Sequence, residues 1–190
     1  MSIARRISFL LNRERIHPPN PAYTQAAVLI GIVQAPSGER VIFNRRASSM
    51  NNHASEICLP GGVLECIDHD SHTNAALREA NEEIGLPKEN VQVMGVLESC
   101  TTSQHIEVTP IVAIVRPPTE WILQTHEVEE VVELPLSTFL EARNYRHISK
   151  PYFGREVNTV SLTCNSCEIW GLTAKIMMQL QQLVNRDSSY

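Results

Sequence analysis

The run Arg78-Glu79-Ala80-Asn81-Glu82-Glu83-Ile84-Gly85-Leu86 carries the residue types and spacing best suited to chemistry. On a helix turning about 100° per residue, Glu79, Glu82 and Glu83 stand at i, i+3 and i+4 and share one face. Thr73, Leu77, Ala80 and Ile84 step by four, three and four and form an opposite, anchoring face. Like charges at this spacing repel by about 0.2–0.5 kcal/mol per pair. A divalent cation removes that penalty, and Mg²⁺ takes oxygen ligands that it shares between carboxylates and substrate phosphates. A solvated acidic face shows the same spacing. What sets this helix apart is Pro60-Gly61-Gly62 ahead of it, because glycine lets backbone approach a ligand or a packed helix closely.

Taken together, Gly62 to Leu86 resembles the Nudix box, G-x5-E-x7-R-E-U-x-E-E-x-G-U, in which U is apolar. The resemblance implies an enzyme that hydrolyses a nucleoside diphosphate linked to another group. It implies an α/β/α sandwich around a mixed β-sheet, α+β in class, with the box as a loop–helix–loop. It further implies that Glu79, Glu82 and Glu83 bind Mg²⁺ or Mn²⁺ and that Arg78 orients them. The loop is two residues longer than the box. Counting forward from Gly62, its acid falls on Asp68; counting back from Arg78, it falls on Asp70.

The segment before the box is similar to that of the coenzyme A diphosphatase subgroup, roughly R-x5–6-H-x-G-[EQ]-[IV]-x-F-P-G-G. Arg46, His53, Glu56, Ile57, Pro60, Gly61 and Gly62 match it, while Ser55 and Leu59 stand where Gly and Phe are usual. The likeness runs on through Val108-Thr109-Pro110, Glu127-Val128, Leu134-Pro135 and Trp170-Gly171-Leu172-Thr173, and covers roughly residues 25–180. It implies cleavage of coenzyme A or acyl-CoA to 3′,5′-ADP and (acyl-)4′-phosphopantetheine. Arg46, His53, Gly61 and Gly62 are then the substrate-binding candidates. The general base is open among Glu79, Glu98, Glu127, Glu129 and Glu130, with Glu127 matching the Glu-Val position. One rival is a Nudix hydrolase of ADP-ribose or another nucleoside diphosphate derivative. Another is a non-catalytic nucleotide-binding module, of a kind that usually lacks metal carboxylates.

The elements that must position these residues follow from periodicity. Strands are expected at residues 25–33, 40–44, 55–59, 91–97, 107–116, 129–134 and 156–162. The box helix is expected over 73–84, capped by Gly85 and stopped by Pro87, with a helical turn over 137–142 and a final helix over 168–185. Trp170 and its neighbours are expected to seat that last helix. Residues 1–22 read as a lead-in, a short helix and then Pro18, Pro19 and Pro21, to one domain over 1–190. Apolar residues at 43% and charged residues at 19% suit a globular protein. A net charge of −5 gives no broad attraction to nucleic acid or to an anionic membrane, and no apolar run of about 18 residues is present. The expected partner is a small-molecule substrate, and the expected assembly a monomer or homodimer. Five cysteines without an export signal suggest free thiols in the cytoplasm, with Cys164-x-x-Cys167 structural or incidental, not a zinc site.

Overall fold

The computed structural model describes residues 2–11, 18–49, 54–152, 154–164 and 167–186. His53 lies outside them. The central strand is β1 (Thr24–Ala35), whose run from Ala26 to Val33 is apolar and largely buried. A strand covered on both faces needs such a run. Along its whole length β1 pairs in parallel with β7 (Ile106–Val115), from Thr24 opposite Ile106 to Val33 opposite Val115. Its other edge is shared by two antiparallel partners. β2 (Gly38–Arg46) takes the C-terminal part after a tight turn, and β4 (Gly61–Val63) takes the N-terminal part. Beyond them β3 (Ile57–Cys58) and β8 (Val128–Pro135) pair with β2, while β5 (Val91–Val96) and β6 (Cys100–Thr101) pair with β7.

Helices cover both faces of this mixed sheet, the expected α+β sandwich. On one face lies α2 (His72–Ile84), packing Ala75, Ala76, Ala80 and Ile84 among Ala27, Leu29, Ile111 and Ala113. Ser71 Oγ accepts the Asn74 amide at its start, and Gly85 closes it in the left-handed conformation at φ 68°. On the other face α1 (Ile3–Leu11), α3 (Leu136–Leu140) and α4 (Gly171–Arg186) bring Ile7, Phe139, Met177 and Leu180 against Ile30, Ile32, Phe43 and Val112.

In a second antiparallel sheet, β9 (Tyr145–Tyr152), β10 (Arg155–Cys164) and β11 (Cys167–Trp170), only β10 matches a strand expected from the sequence, that at 156–162. β9 was not expected because half of it is exposed and Pro151 sits within it, which suits a strand paired on one side only. Residues 168–170 were expected to be helical but pair with β10, and the helix begins at Gly171 with φ 69°. Ile169, buried in that hairpin, fits strand alternation as well as helical spacing. Cys164 and Cys167 form a disulfide, so the expectation of free thiols holds for Cys58, Cys66 and Cys100 only. No helix among the described residues is long and apolar enough to cross a membrane.

Candidate active site

Arg78 organises the box. Its Nε and Nη2 each donate to a carboxylate oxygen of Asp68 at 3.1 Å, and Nη2 also donates to the Val63 carbonyl at 3.0 Å. From the other side of the guanidinium, Nη1 donates to Glu79 Oε1 at 2.9 Å and to Glu82 Oε2 at 3.0 Å. The structure thus settles which acid belongs to the box. Asp68 is buried, accepts the Glu65 amide as well, and is held by Arg78 below the usual carboxylate range. Asp70 is exposed. The two extra residues are absorbed as His69 and Asp70 turn through left-handed backbone, at φ 51° and 57°. Asp and His tolerate that region better than most residues.

The three helix glutamates do not share one open face. Glu82 is exposed, Glu79 is half-buried, and Glu83 is only 4% exposed. The helical spacing is as expected, but β4 and β2 overhang the Glu83 side. Its Oε2 accepts the Gly61 amide at 3.0 Å and Asn44 Nδ2 at 2.8 Å. Burial pushes the Glu83 carboxyl up to about 7, with the Gly61 amide opposing the shift. Burial likewise raises Glu79, against the pull of Arg78, and the charges of Glu82 and Glu127 add to the rise.

The glycines have separate tasks. Gly61 stands at φ 151°, and a Cβ there would meet the Ala27 carbonyl oxygen within covalent-clash range, at 2.2 Å. A Cβ on Gly62 would instead meet Glu79 Oε1 at 2.4 Å. Gly61 lets β4 join β1, and Gly62 leaves room for the Glu79 carboxylate.

Of the remaining candidates, the structure brings Arg46 and Glu127 to this place. The Arg46 guanidinium lies beside the Cys58 thiol and within the field of Glu83, and its Nε is buried without a hydrogen-bond partner among the described residues. Burial, then the charge of Glu83, pushes the Cys58 thiol up to about 12. Glu127 is placed by the bonds of its own amide to the Gln124 carbonyl and of the Ala47 amide to its carbonyl. Glu130 is instead paired with Arg45 at 2.6 Å, and Glu129 is exposed. Sequence reasoning missed Asn44, which no spacing rule marks, although it immediately precedes the two arginines.

The donor chemistry fits a hard divalent cation. Glu79 lies in the field of Glu82, Glu83 lies in the field of Glu79, and Asn44 Oδ1 next to Glu83 is a buried acceptor without a partner among the described residues. Among the described residues, no three His, Cys, Asp or Glu side chains converge on one point: Arg78 holds Glu79 and Glu82, and Gly61 and Asn44 hold Glu83.

The family profile described as NUDIX domain matches residues 23–153. The chain is 33% identical over 172 residues to the uncharacterized Nudix hydrolase NudL of Salmonella heidelberg, covering 90% of this chain and 88% of the relative. It is 33% identical over 184 residues to that of Photorhabdus laumondii, covering 94% and 97%. Among solved structures, a MutT/nudix family protein from Enterococcus faecalis superposes with a TM-score of 0.54 at 15% identity, over 95% of this chain and 68% of that one. A Nudix hydrolase from M. smegmatis gives 0.51 at 22% identity, over 61% and 73%. These two likenesses show a shared fold. With a profile across more than half of its length and relatives matched nearly end to end, this chain belongs to the Nudix family.

Proposed function

We propose that the protein is a divalent-cation-dependent hydrolase that cuts the diphosphate of coenzyme A or an acyl-CoA into 3′,5′-ADP and (acyl-)4′-phosphopantetheine. The observation that carries this reading is the meeting of two sequence blocks. Arg46, which matches the segment that resembles the coenzyme A subgroup, lies in the field of Glu83 of the box helix, as does its neighbour Cys58. A residue that matches the subgroup pattern thus stands near a carboxylate of the family pattern, which supports the reading.

Glu79, Glu82 and Glu83 would hold Mg²⁺ or Mn²⁺, which when bound neutralises diphosphate charge and polarises phosphorus. Arg78 sets the directions of Glu79 and Glu82, and Asp68 in turn fixes Arg78. Arg46, whose buried Nε has no partner among the described residues, would donate to a diphosphate oxygen next to Glu83. Glu127 makes no ion pair among the described residues and lies in the field of Glu79. It, Glu79 and Glu98 are the candidates to take the proton of the attacking water.

Product analysis tests the reading. With Mg²⁺ or Mn²⁺ present, coenzyme A should release 3′,5′-ADP, chelation should stop the release, and ADP-ribose should be the poorer substrate. Good cleavage of ADP-ribose with no 3′,5′-ADP from coenzyme A would move the assignment to another nucleoside diphosphate derivative. Binding of these compounds with no cleavage of any would make the protein a nucleotide-binding module.

A further inference from the structure

A cavity of about 400 Å³ opens beside the active site and shares Arg46 with it. Arg46, Ile57 and Cys58 form one end of its wall, and residues 101–104, which lead from β6 into β7, form another part. The remainder comes from the second sheet and the start of α4, with Tyr152, Trp170, Thr173 and Lys175. Arg46 lines the cavity and also lies in the field of Glu83, so the cavity adjoins the glutamate site.

Its size is near the lower end of ordinary small-ligand pockets, about 300–1,000 Å³, which suits one half of a large two-part substrate. The chemistry of the wall says which half. Two cations, Arg46 and Lys175, and one carboxylate, Glu56, line it. Lys175 is exposed and forms no ion pair with a described residue. The Trp170 ring is braced by Lys150, 4.8 Å from its centroid, and by the Tyr152 ring edge-on at 6.1 Å, so a flat aromatic surface is fixed in place. Hydroxyls of Thr101, Thr102, Thr159 and Thr173 add hydrogen-bonding groups around it. A neutral amide arm would leave the Lys175 charge unused. An aromatic base on a phosphorylated ribose uses the ring wall, the hydroxyls and both cations.

We propose that this cavity receives the nucleoside half of the substrate and that Lys175 is a specificity-determining residue, reading a phosphate on the ribose in addition to the diphosphate read by Arg46. The inference rests on the coenzyme A reading above and adds the side of the molecule from which that substrate is recognised. It separates coenzyme A from dephospho-coenzyme A and from ADP-ribose, which lack that phosphate.

The test is calorimetric titration of wild type, Lys175→Ala and Lys175→Arg with 3′,5′-ADP and with AMP, alongside the ratio of kcat/KM for coenzyme A over dephospho-coenzyme A. Alanine is well tolerated on an exposed helical position, so the variant should fold. Lys175→Ala should lose about ten- to a hundred-fold in affinity for 3′,5′-ADP, the scale of one charge-assisted hydrogen bond, with AMP little changed. The coenzyme A ratio should fall by the same factor, and arginine should restore most of both. Equal weakening for the two nucleotides, or none for either, overturns the inference; if wild type still releases 3′,5′-ADP from coenzyme A, the substrate reading survives that result. Wild type that cleaves ADP-ribose and leaves coenzyme A intact overturns the substrate reading and this inference with it.

Discussion

Glu82 and Glu83 are neighbours in the chain but not in surroundings, and that difference shapes what their loss should do. Glu82 is about half exposed, and its removal leaves Arg78 still bound to Asp68. Glu83 accepts both of its hydrogen bonds at one oxygen, so an amide oxygen in that place can keep them. Glu82→Gln and Glu83→Gln should each lower kcat by about a hundred-fold or more while far-UV circular dichroism and Tm stay near wild type. Wild-type kcat at saturating Mg²⁺ in either variant would remove that glutamate from the metal set. Asp68 calls for the opposite expectation, a loss of stability. Asp68→Asn weakens a buried contact to a guanidinium and should cost about 1–3 kcal/mol, whereas Asp70→Asn should be near neutral. The pH dependence has a definite sign. Arg78 depresses the Asp68 carboxyl in the folded protein, so the wild-type advantage is complete above the unfolded value of about 3.9 and is lost as pH falls through the lower folded value. In melts of wild type and Asp68→Asn from pH 7 to 3, the gap should therefore hold at neutral pH and narrow only at the acid end. Spacing brought out Glu79, Glu82 and Glu83, and the resemblance to the box added Arg78. It left Asp68 and Asp70 open because both counts fit the chain. The choice depends on two left-handed residues that leave no periodic trace.

At the scale of elements, the short strand β4 does the joining. Pro60-Gly61-Gly62 reads in sequence as a turn, yet Gly61 pairs with Val28 and Gly62 with Ala27. Two adjacent substitutions should therefore fail in different ways. In Gly61→Ala the new carbon meets backbone of β1, which cannot yield, and φ at 151° is already unfavourable for alanine. The expected cost exceeds about 1 kcal/mol and should appear as a lower Tm, with activity falling alongside. In Gly62→Ala the carbon meets the end of the Glu79 side chain, which can swing away. That variant should melt close to wild type but turn over substrate much more slowly, because the carboxylate has been moved. Thermal melts set beside kcat for the two proteins check the distinction. Equal behaviour in both measurements would mean that the two glycines share a single structural task. The second sheet was harder to foresee for a related reason. β9 draws its stability from pairing with β10 on one edge, and its half-exposed residues carry no alternation strong enough to announce it. The cavity wall that this sheet supplies was therefore hidden from periodicity, although Trp170 and Lys175 were visible as residues.

Across the whole molecule, the central sheet separates two cores with different duties. α2, on one side, carries the glutamates; α1, α3 and α4, on the other, carry none of them. In sequence, α1 reads as part of a lead-in, since it is short and is followed by prolines. The structure ties it down in three ways. Ile7 is fully buried, Glu39 of β2 accepts the Ile3 and Ala4 amides at 3.1 Å each, and Arg6 donates to the Val184 carbonyl of α4 at 2.8 Å. Deleting most of a fully buried isoleucine side chain costs about 2–5 kcal/mol. For a chain of this length each kcal/mol lowers Tm by roughly 2–4 °C, so Ile7→Ala should melt on the order of 10 °C below wild type. Its kcat/KM at 25 °C should remain within about twofold of wild type, because the intervening sheet isolates the glutamates from the repacking and a few kcal/mol leaves most molecules folded. Calorimetry and steady-state kinetics on one preparation decide the matter. A normal Tm would show that α1 contributes little to the core, and an activity loss well beyond the unfolded fraction would show that repacking under α1 reaches the glutamates or the cavity at the start of α4.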